Sequence, residues 1–256
     1  MFFEAKRIKI LHTWRSGISS SPSNATYRAH VLVVKKIEYV RVAQICVESF
    51  LYHHPNSTVL IHTDQTTIKE AQRIFMKRIA NAQVELLPET SFESMPWQAC
   101  KIDVILRMRG TSDFFMDADL RWNGVLPAYS GITFFVNEFD MRQKSPFRQI
   151  LQGIGSEMGL GFNMRNTSFF SFDSLDLDNN QLKDFMSFYK NFGELVQSTD
   201  VGVLDEPELM RLSEQISLSI FSDKWSSQIS CIKSQDGFRD GRFVESSYFG
   251  ATGSIF

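Results

Sequence analysis

The feature that most constrains the fold is an alternation of short β-branched segments and helical segments between residues 30 and 87. The segments that predict strands are His30–Val34, Thr58–His62 and Gln83–Leu87. Residues 38–52 place apolar side chains at helical spacing, and a second helix is predicted to begin at Thr66 or Thr67 and to end near Ala80. Strands separated by helices of this length form right-handed parallel units. The sequence therefore predicts an α/β fold with a mostly parallel, Rossmann-type sheet flanked by helices.

The remainder of the chain is predicted to contain longer helices and fewer strands. The predicted elements are a helix at Pro96–Arg109, strands at Phe114–Met116 and Ile132–Val136, a glycine-punctuated surface loop at 153–161, and helices at Leu182–Val196 and Pro207–Trp225. No internal repeat and no low-complexity linker interrupts the sequence. We therefore expect a single domain over residues 1–256, with one half at about 28–119 and the other at about 120–256.

A pair of carboxylates follows the most apolar of the predicted strands. Phe114–Met116 has the bulk of a buried strand and ends in Asp117 and Asp119. In open α/β sheets, ligands bind beyond the carboxyl ends of the strands. Two carboxylates placed there can hold Mg²⁺ or Mn²⁺, and the metal can neutralise a diphosphate. The alternative is that each aspartate simply marks the turn that follows a strand.

Composition and missing motifs exclude several functional classes. The net charge of -2 gives no basic surface for nucleic acid. The absence of Gly-x-Gly-x-x-Gly and of a Walker loop argues against dinucleotide oxidoreductases and P-loop enzymes. Three widely spaced cysteines suit a reducing compartment. Met1–Ile10 lacks the apolar core of a signal peptide, and no long apolar run predicts a transmembrane segment, so we expect a cytoplasmic protein.

Several segments around the acidic pair resemble nucleotide-sugar-dependent glycosyltransferases of the GT-A fold, in particular retaining enzymes of the glycogenin and galactosyltransferase type. The segments that carry the resemblance are Tyr39 at the start of a helix with Glu48-Ser49-Phe50 and His54-Pro55, the strand Thr58–His62 with Asp64, the charged helix at Lys101, the strand Asn166-Thr167-Ser168-Phe169-Phe170, and Glu214-Gln215 on the last long helix. Each segment is short, and their order is more specific than any one of them.

The resemblance implies a role for each matched residue. It implies a nucleotide-binding half at about 28–119 and a smaller acceptor-side half at about 120–256. Implied nucleotide-binding residues are Tyr39, Asp64, Lys101 and Ala118; implied catalytic residues are Asn166, Glu214 and Gln215; implied ligands of Mn²⁺ or Mg²⁺ are Asp117 and Asp119. The implied activity is that of a metal-dependent, retaining hexosyltransferase that moves a sugar from a nucleotide-diphosphate donor, such as a UDP-sugar, to a hydroxyl of a glycan or other acceptor. His53 and His54 are expected at the surface, where the helix ends, and not as ligands.

The sequence departs from the family pattern near its end. Retaining relatives carry a His that completes the metal site and a Lys that meets the diphosphate, whereas the segment Ser247–Gly253 has Ser and Gly at those places. Either another group such as Glu245 completes the site, or metal binding is weak. This departure motivates a second hypothesis, in which a degenerate GT-A body only binds a sugar or a partner.

A third hypothesis is a phosphatase of the haloacid-dehalogenase type, which also uses an Asp-x-Asp motif. Those enzymes place Thr or Val two residues after the second Asp, where this chain has Arg121. They also usually place the motif on the first strand.

Overall fold

The structure is a computed structural model that describes residues 23–88, 97–122, 124–137, 165–198, 206–232 and 244–245. The predicted loop at 153–161 and the segments Met1–Ile10 and Ser247–Gly253 lie outside these residues. Within the described part of the chain, no helix combines the length and the apolar character needed to cross a membrane.

The first half of the chain forms four parallel strands in the order β3-β2-β1-β4. The strands are β1 (Arg28–Val33), β2 (Thr58–Thr63), β3 (Ala82–Leu86) and β4 (Phe114–Met116). The helices between them are α1 (Ile37–His53), α2 (Ile68–Ala71), which continues into a π-helical turn at Gln72–Met76, and α3 (Trp97–Arg107). The predicted strands are confirmed to within two residues at each end.

The second half extends the same sheet with antiparallel pairings. Its elements are β5 (Arg121–Trp122), β6 (Ile132–Asn137), β7 (Arg165–Ser171), α4 (Asn179–Ser198), α5 (Glu206–Trp225), β8 (Ile229–Cys231) and β9 (Val244–Glu245). Strand β7 lies antiparallel between β4 and β6, and β8 runs parallel to β6, which gives the order β3-β2-β1-β4-β7-β6-β8. A separate two-stranded ribbon joins β5 to β9.

Alternating side chains of the strands divide the core between the two faces of the sheet. Val31 and Phe114 pack with Phe50 of α1 on one face. Leu32 and Phe115 pack with α3, α4 and α5 on the other face. Because side chains alternate with a period of two, Asp117 continues the row of Phe115 and lies on the side of α3 and α5. This alternation determines which helices can contact the acidic pair.

Thr67 is the N-cap residue of α2, as predicted, but its side chain makes no capping hydrogen bond, and the side chain of Asp64 instead caps the turn that leads into the helix. Asp64 Oδ1 accepts hydrogen bonds from the Thr67 backbone N–H at 3.0 Å and from the Thr67 hydroxyl at 2.9 Å. The Thr67 hydroxyl also lies 2.7 Å from the carbonyl oxygen of Val33, and Thr67 is fully buried. The threonine therefore ties α2 to β1 instead of capping its own helix.

The expectation that His53 and His54 lie at the surface is wrong. Both residues are fully buried. His54 Nε2 accepts a hydrogen bond from the Leu126 N–H at 3.0 Å, and its ring packs 4.8 Å from the ring of Phe50. The segment that follows β5 covers the end of α1, and burial lowers the pKa of His54 to about 4. Side chains at the end of a helix are exposed only where no other segment of the chain packs over them.

Candidate functional site

The site lies at the carboxyl end of β4, where Asp117 directly follows the strand. The Asp117 backbone N–H donates to the carbonyl oxygen of Ser168 at 2.8 Å, which extends the pairing of β4 with β7 by one residue. The Cys46 thiol of α1 donates to the Asp117 carbonyl oxygen at 3.4 Å. The main chain of Asp117 is therefore fixed from both sides, while its side chain remains 29% exposed.

Lys101 of α3 places a buried ammonium group between two carboxylates. Its Nζ lies 2.9 Å from Asp117 Oδ1 and 2.9 Å from Glu214 Oε1 of α5. It also donates to Thr167 Oγ1 at 3.2 Å. These contacts use all three donors of the ammonium group. The Phe115 ring lies 5.0 Å from the same nitrogen, which adds a cation–π contact.

Thr167 of β7 completes this network, although the sequence indicated no role for it. Its hydroxyl donates to Glu214 Oε1 while it accepts from Lys101. The register between β6 and β7 shifts here, because Phe134 pairs with Phe170 whereas Val136 pairs with Asn166. Such an irregularity breaks strict alternation and re-aims side chains. A prediction that assumes strict alternation of side chains along β7 therefore does not place Thr167 beside Lys101 and Glu214.

Burial and charge shift the protonation of the cluster. Burial raises the pKa of the Glu214 carboxyl, although Lys101 acts in the opposite direction. Burial alone would lower the pKa of Lys101, but Asp117 and Glu214 outweigh it, so the pKa is raised. Burial, together with repulsion from Asp117, raises the pKa of Asp119 to about 6. Two carboxyl groups thus contact one ammonium group, and Asp119 lies close enough for the charges of Asp117 and Lys101 to influence its pKa.

The acidic pair fits a divalent cation as a two-residue site. Asp117 and Asp119 offer hard oxygen donors, and a cation would offset both causes of the raised pKa of Asp119, namely its burial and the repulsion from Asp117. Within the described residues, no group of three or more histidine, cysteine, aspartate or glutamate side chains is arranged to hold a metal ion. The backbone of Glu245 pairs with Arg121, two residues after Asp119. A cation here would therefore take the remaining ligands from a bound phosphate or from water.

The residues predicted to bind the nucleotide lie near the carboxyl ends of β1, β2 and β4. Tyr39, in the first turn of α1, is 43% exposed. The Asp64 carboxylate also accepts the Lys35 backbone N–H at 2.7 Å, so it joins the segments that follow β1 and β2. Ala118 is partly buried against the core on the α1 face. Lys101 is placed by α3 beside Asp117.

The remaining predicted catalytic residues flank Glu214 and Thr167. Gln215 follows Glu214 on α5 and is partly exposed. Asn166 precedes Thr167 on β7, and its Oδ1 accepts the Ser168 N–H at 2.8 Å. The structure therefore brings Asp117, Lys101 and Glu214 into direct contact, whereas the roles of Asn166 and Gln215 stay predictions.

No protein-family model matches the sequence, and no curated protein does either. Solved structures do match. An active-site variant of LgtC is 15% identical and aligns with a TM-score of 0.50 over 80% of this chain and 72% of its own. The protein has the GT-A glycosyltransferase fold.

Other GT-A structures align with lower scores. The galactosyltransferase LgtC with donor and acceptor sugar analogues has a TM-score of 0.49 at 12% identity, over 80% of this chain and 73% of its own. Core-mannan synthase A from Aspergillus fumigatus, in an Mn/GDP form, has a TM-score of 0.40 at 10% identity, over 90% of this chain and 77% of its own. In the fold seen here the acidic pair directly follows the fourth strand, whereas phosphatases of the haloacid-dehalogenase type usually place their motif on the first strand.

Proposed function

We propose that the protein is a glycosyltransferase that moves a sugar from a nucleotide-diphosphate donor to a hydroxyl of an acceptor glycan. The observation that carries this proposal is the buried Lys101 ammonium group, which bridges Asp117 and Glu214 at the carboxyl end of β4. In an open α/β sheet this is the end at which ligands bind. A GT-A fold with a charged, largely buried cluster at that position supports sugar-nucleotide chemistry better than a purely structural role.

On the donor side, Asp117 and Asp119 would hold Mn²⁺ or Mg²⁺ against the diphosphate. A divalent cation supplies charge neutralisation of the departing nucleotide. Lys101 adds a fixed positive charge beside Asp117, in a position where little water screens it. Lys101 and the divalent cation together would offset the charges of the carboxylates, so that the diphosphate meets less negative charge, without movement of the Lys101 side chain.

On the sugar side, Glu214 supplies a carboxylate whose position is set by Lys101 and Thr167. With both partners on the same oxygen, Oε1, the second oxygen of Glu214 is the one that would accept a hydrogen bond from a sugar hydroxyl. Gln215 and Asn166 would extend this polar surface toward the acceptor. This arrangement would position the sugar, and we propose transfer with retention of configuration because the sequence resembles retaining families.

The nucleotide base would lie against Tyr39. An exposed ring in the first turn of α1 offers a stacking surface, and base–aromatic stacking contributes about 1–3 kcal/mol. Asp64 would lie near the ribose. UDP is the nucleotide that we propose first, because the retaining families that the sequence resembles use it.

The test is a thermal-shift series with UDP, GDP, CDP and ADP, each with Mn²⁺ and with EDTA, followed by turnover of the matching sugar nucleotides. A ligand at 100 times its Kd stabilises the folded state by about 2.7 kcal/mol. We expect a metal-dependent shift with one nucleotide, loss of that shift in Asp117→Asn, and no loss in the exposed control Asp176→Asn. Absence of both nucleotide binding and donor turnover, with a glycan still bound, would favour the degenerate binding protein.

A further inference from the structure

A cavity of about 690 Å³ lies at the amino ends of the parallel strands, at the end of the sheet opposite to Asp117. Its wall includes Arg28 at the start of β1, Thr58 at the start of β2 and Asp113 directly before β4. Asp113 and Asp117 therefore lie at the two ends of one strand, roughly 13 Å apart at about 3.3 Å per residue. The cavity is separate from the proposed active site, and its volume is within the range of small-molecule sites.

The carboxylate of Asp113 is fixed from the core side by a buried pair of histidines. Asp113 Oδ2 lies 3.0 Å from His30 Nε2, and His30 Nδ1 lies 2.9 Å from His62 Nε2. His30 is 4% exposed and His62 is 1% exposed. With Asp113 ionised, the His30 Nε2–H donates to it and His30 Nδ1 accepts from His62. A carboxylate on the cavity wall is thus held in one orientation by groups that water does not reach.

Two tyrosine rings form another part of the wall. Tyr27 packs edge-on against His54 at 5.1 Å and against Phe114 at 6.0 Å. Tyr129 packs edge-on against Phe169 at 5.7 Å. Both rings are partly exposed and are anchored by buried aromatic neighbours. They give the cavity rigid aromatic surface next to fixed polar groups.

Three charged side chains line the cavity, Arg28, Asp113 and Asp173, and each carboxylate already has a partner. The Nε of Arg28 lies 3.6 Å from Asp113 Oδ2, and the Arg28 side chain is 58% exposed, so its other donors remain accessible. Asp173 Oδ2 accepts the Gly131 N–H at 2.9 Å. A single guanidinium group beside two carboxylates does not favour an anion. Asp113 is already paired with Arg28 and His30, and Asp173 with the Gly131 N–H, so neither carboxylate lacks a partner that a cation would supply.

We propose that this cavity binds a neutral saccharide unit. Such a ligand presents hydroxyl groups that both donate and accept, together with C–H faces that pack on aromatic rings. The cavity offers acceptors in Asp113 and Asp173, donors in Arg28, and aromatic side chains in Tyr27 and Tyr129. The inference rests on these groups alone and does not depend on the proposed transferase activity. If both hold, the protein has a second carbohydrate site away from the site of transfer.

The test is binding of lactose, maltose and cellobiose to the whole protein, measured by saturation-transfer NMR and titration calorimetry. We expect at least one of them to bind, and Arg28→Ala or Asp113→Asn to raise its dissociation constant by at least about tenfold. Asn at position 113 retains an acceptor for His30, which preserves the core contact. The exposed controls Arg109→Ala and Asp176→Asn are expected to bind as the wild type does.

Two further measurements distinguish binding in this cavity from binding in the proposed active site. Saturating UDP with Mn²⁺ is expected not to displace the disaccharide, and Asp117→Asn is expected to bind it normally even if all transferase activity is absent. Displacement by UDP, or loss of binding in Asp117→Asn, would place the sugar in the active site and overturn the proposal. It is equally overturned if none of the three disaccharides binds, or if free arginine binds more tightly than they do.

Discussion

The Nζ of Lys101 lies 2.9 Å from Glu214 Oε1, and both side chains are almost completely buried. The ammonium group and the carboxylate come from α3 and α5, two helices that are distant in sequence and that pack on the same face of the sheet. Neither charge has an alternative partner in water. The pair is therefore an element of the folded core as well as a part of the proposed site.

Lys101→Met removes the cation from this core and leaves Glu214 buried without its countercharge. We expect a loss of about 3–5 kcal/mol in the free energy of unfolding, measured by urea denaturation. The control Lys183→Met changes an exposed lysine of α4 and is expected to cost under ~0.5 kcal/mol. The double variant Lys101→Met/Glu214→Gln should regain part of the loss. If Lys101→Met were as stable as the control Lys183→Met, the ion pair would contribute nothing to the free energy of unfolding.

The pH dependence of the free energy of unfolding should report the protonation of Asp119. Its pKa is raised in the folded state to about 6, so the folded protein binds the proton more tightly than the unfolded chain does. Stability without metal is therefore expected to fall as pH rises from about 4 to about 6, by on the order of 2 kcal/mol. Asp119→Asn should flatten this slope, and thermal melts across the interval measure it. Added Mn²⁺ should stabilise the wild type more at pH 7 than at pH 5, because the metal requires ionised Asp119.

Thr167→Val tests the hydroxyl that joins Lys101 to Glu214. The variant keeps the shape of the side chain but removes the donor to Glu214 and the acceptor for Lys101. We expect a loss of about 1–3 kcal/mol in chemical denaturation, since two buried charged groups each lose a partner. Thr167→Ser keeps the hydroxyl and should retain most of the stability. A valine variant as stable as the serine variant would show that the hydroxyl does not hold the pair.

Asp64→Ala removes the carboxylate that caps the turn leading into α2 and that accepts the Lys35 N–H. Loss of a capping carboxylate costs about 0.5–2 kcal/mol, and Asp64→Asn, which keeps one acceptor oxygen, should cost less. Nucleotide affinity separates the two roles of this residue. If Asp64 also contacts the ribose, UDP binding should weaken in the Asn variant at a temperature at which the variant is fully folded. Unchanged affinity there would leave Asp64 with the cap alone.

Local patterns predicted five strands of the main sheet, β1 to β4 and β6, and the position of the acidic pair, whereas β8 was not predicted and β7 was indicated only by the family resemblance. The β-branched runs gave β1 to β3, and the change from Phe114–Met116 to Asp117 marked the end of β4. Lys101 and Glu214 were chosen by family resemblance, but their contact depends on how α3 and α5 pack, which no local pattern encodes. Thr167 was missed because β7 is irregular at that point.

The cavity at the amino ends of the parallel strands had no signal in the sequence. Arg28, Thr58 and Asp113 are the first residues of their strands or lie just before them, where a polar residue reads as an ordinary strand boundary. Only the parallel alignment of the strands brings these positions together. His53 and His54 were misplaced for a similar reason, since their burial depends on a segment that follows much later in the chain.

Strand β4 is short, but it is hydrogen-bonded to β1 on one side and to β7 on the other. All three of its side chains are at most 1% exposed. A strand held in this way moves along the sheet only by changing its register, which would turn every side chain to the wrong face. Asp113 and Asp117 are consequently preorganised before any ligand arrives. When a ligand binds at either end of β4, the ligand and the surrounding loops lose conformational freedom, whereas the two carboxylates are already ordered.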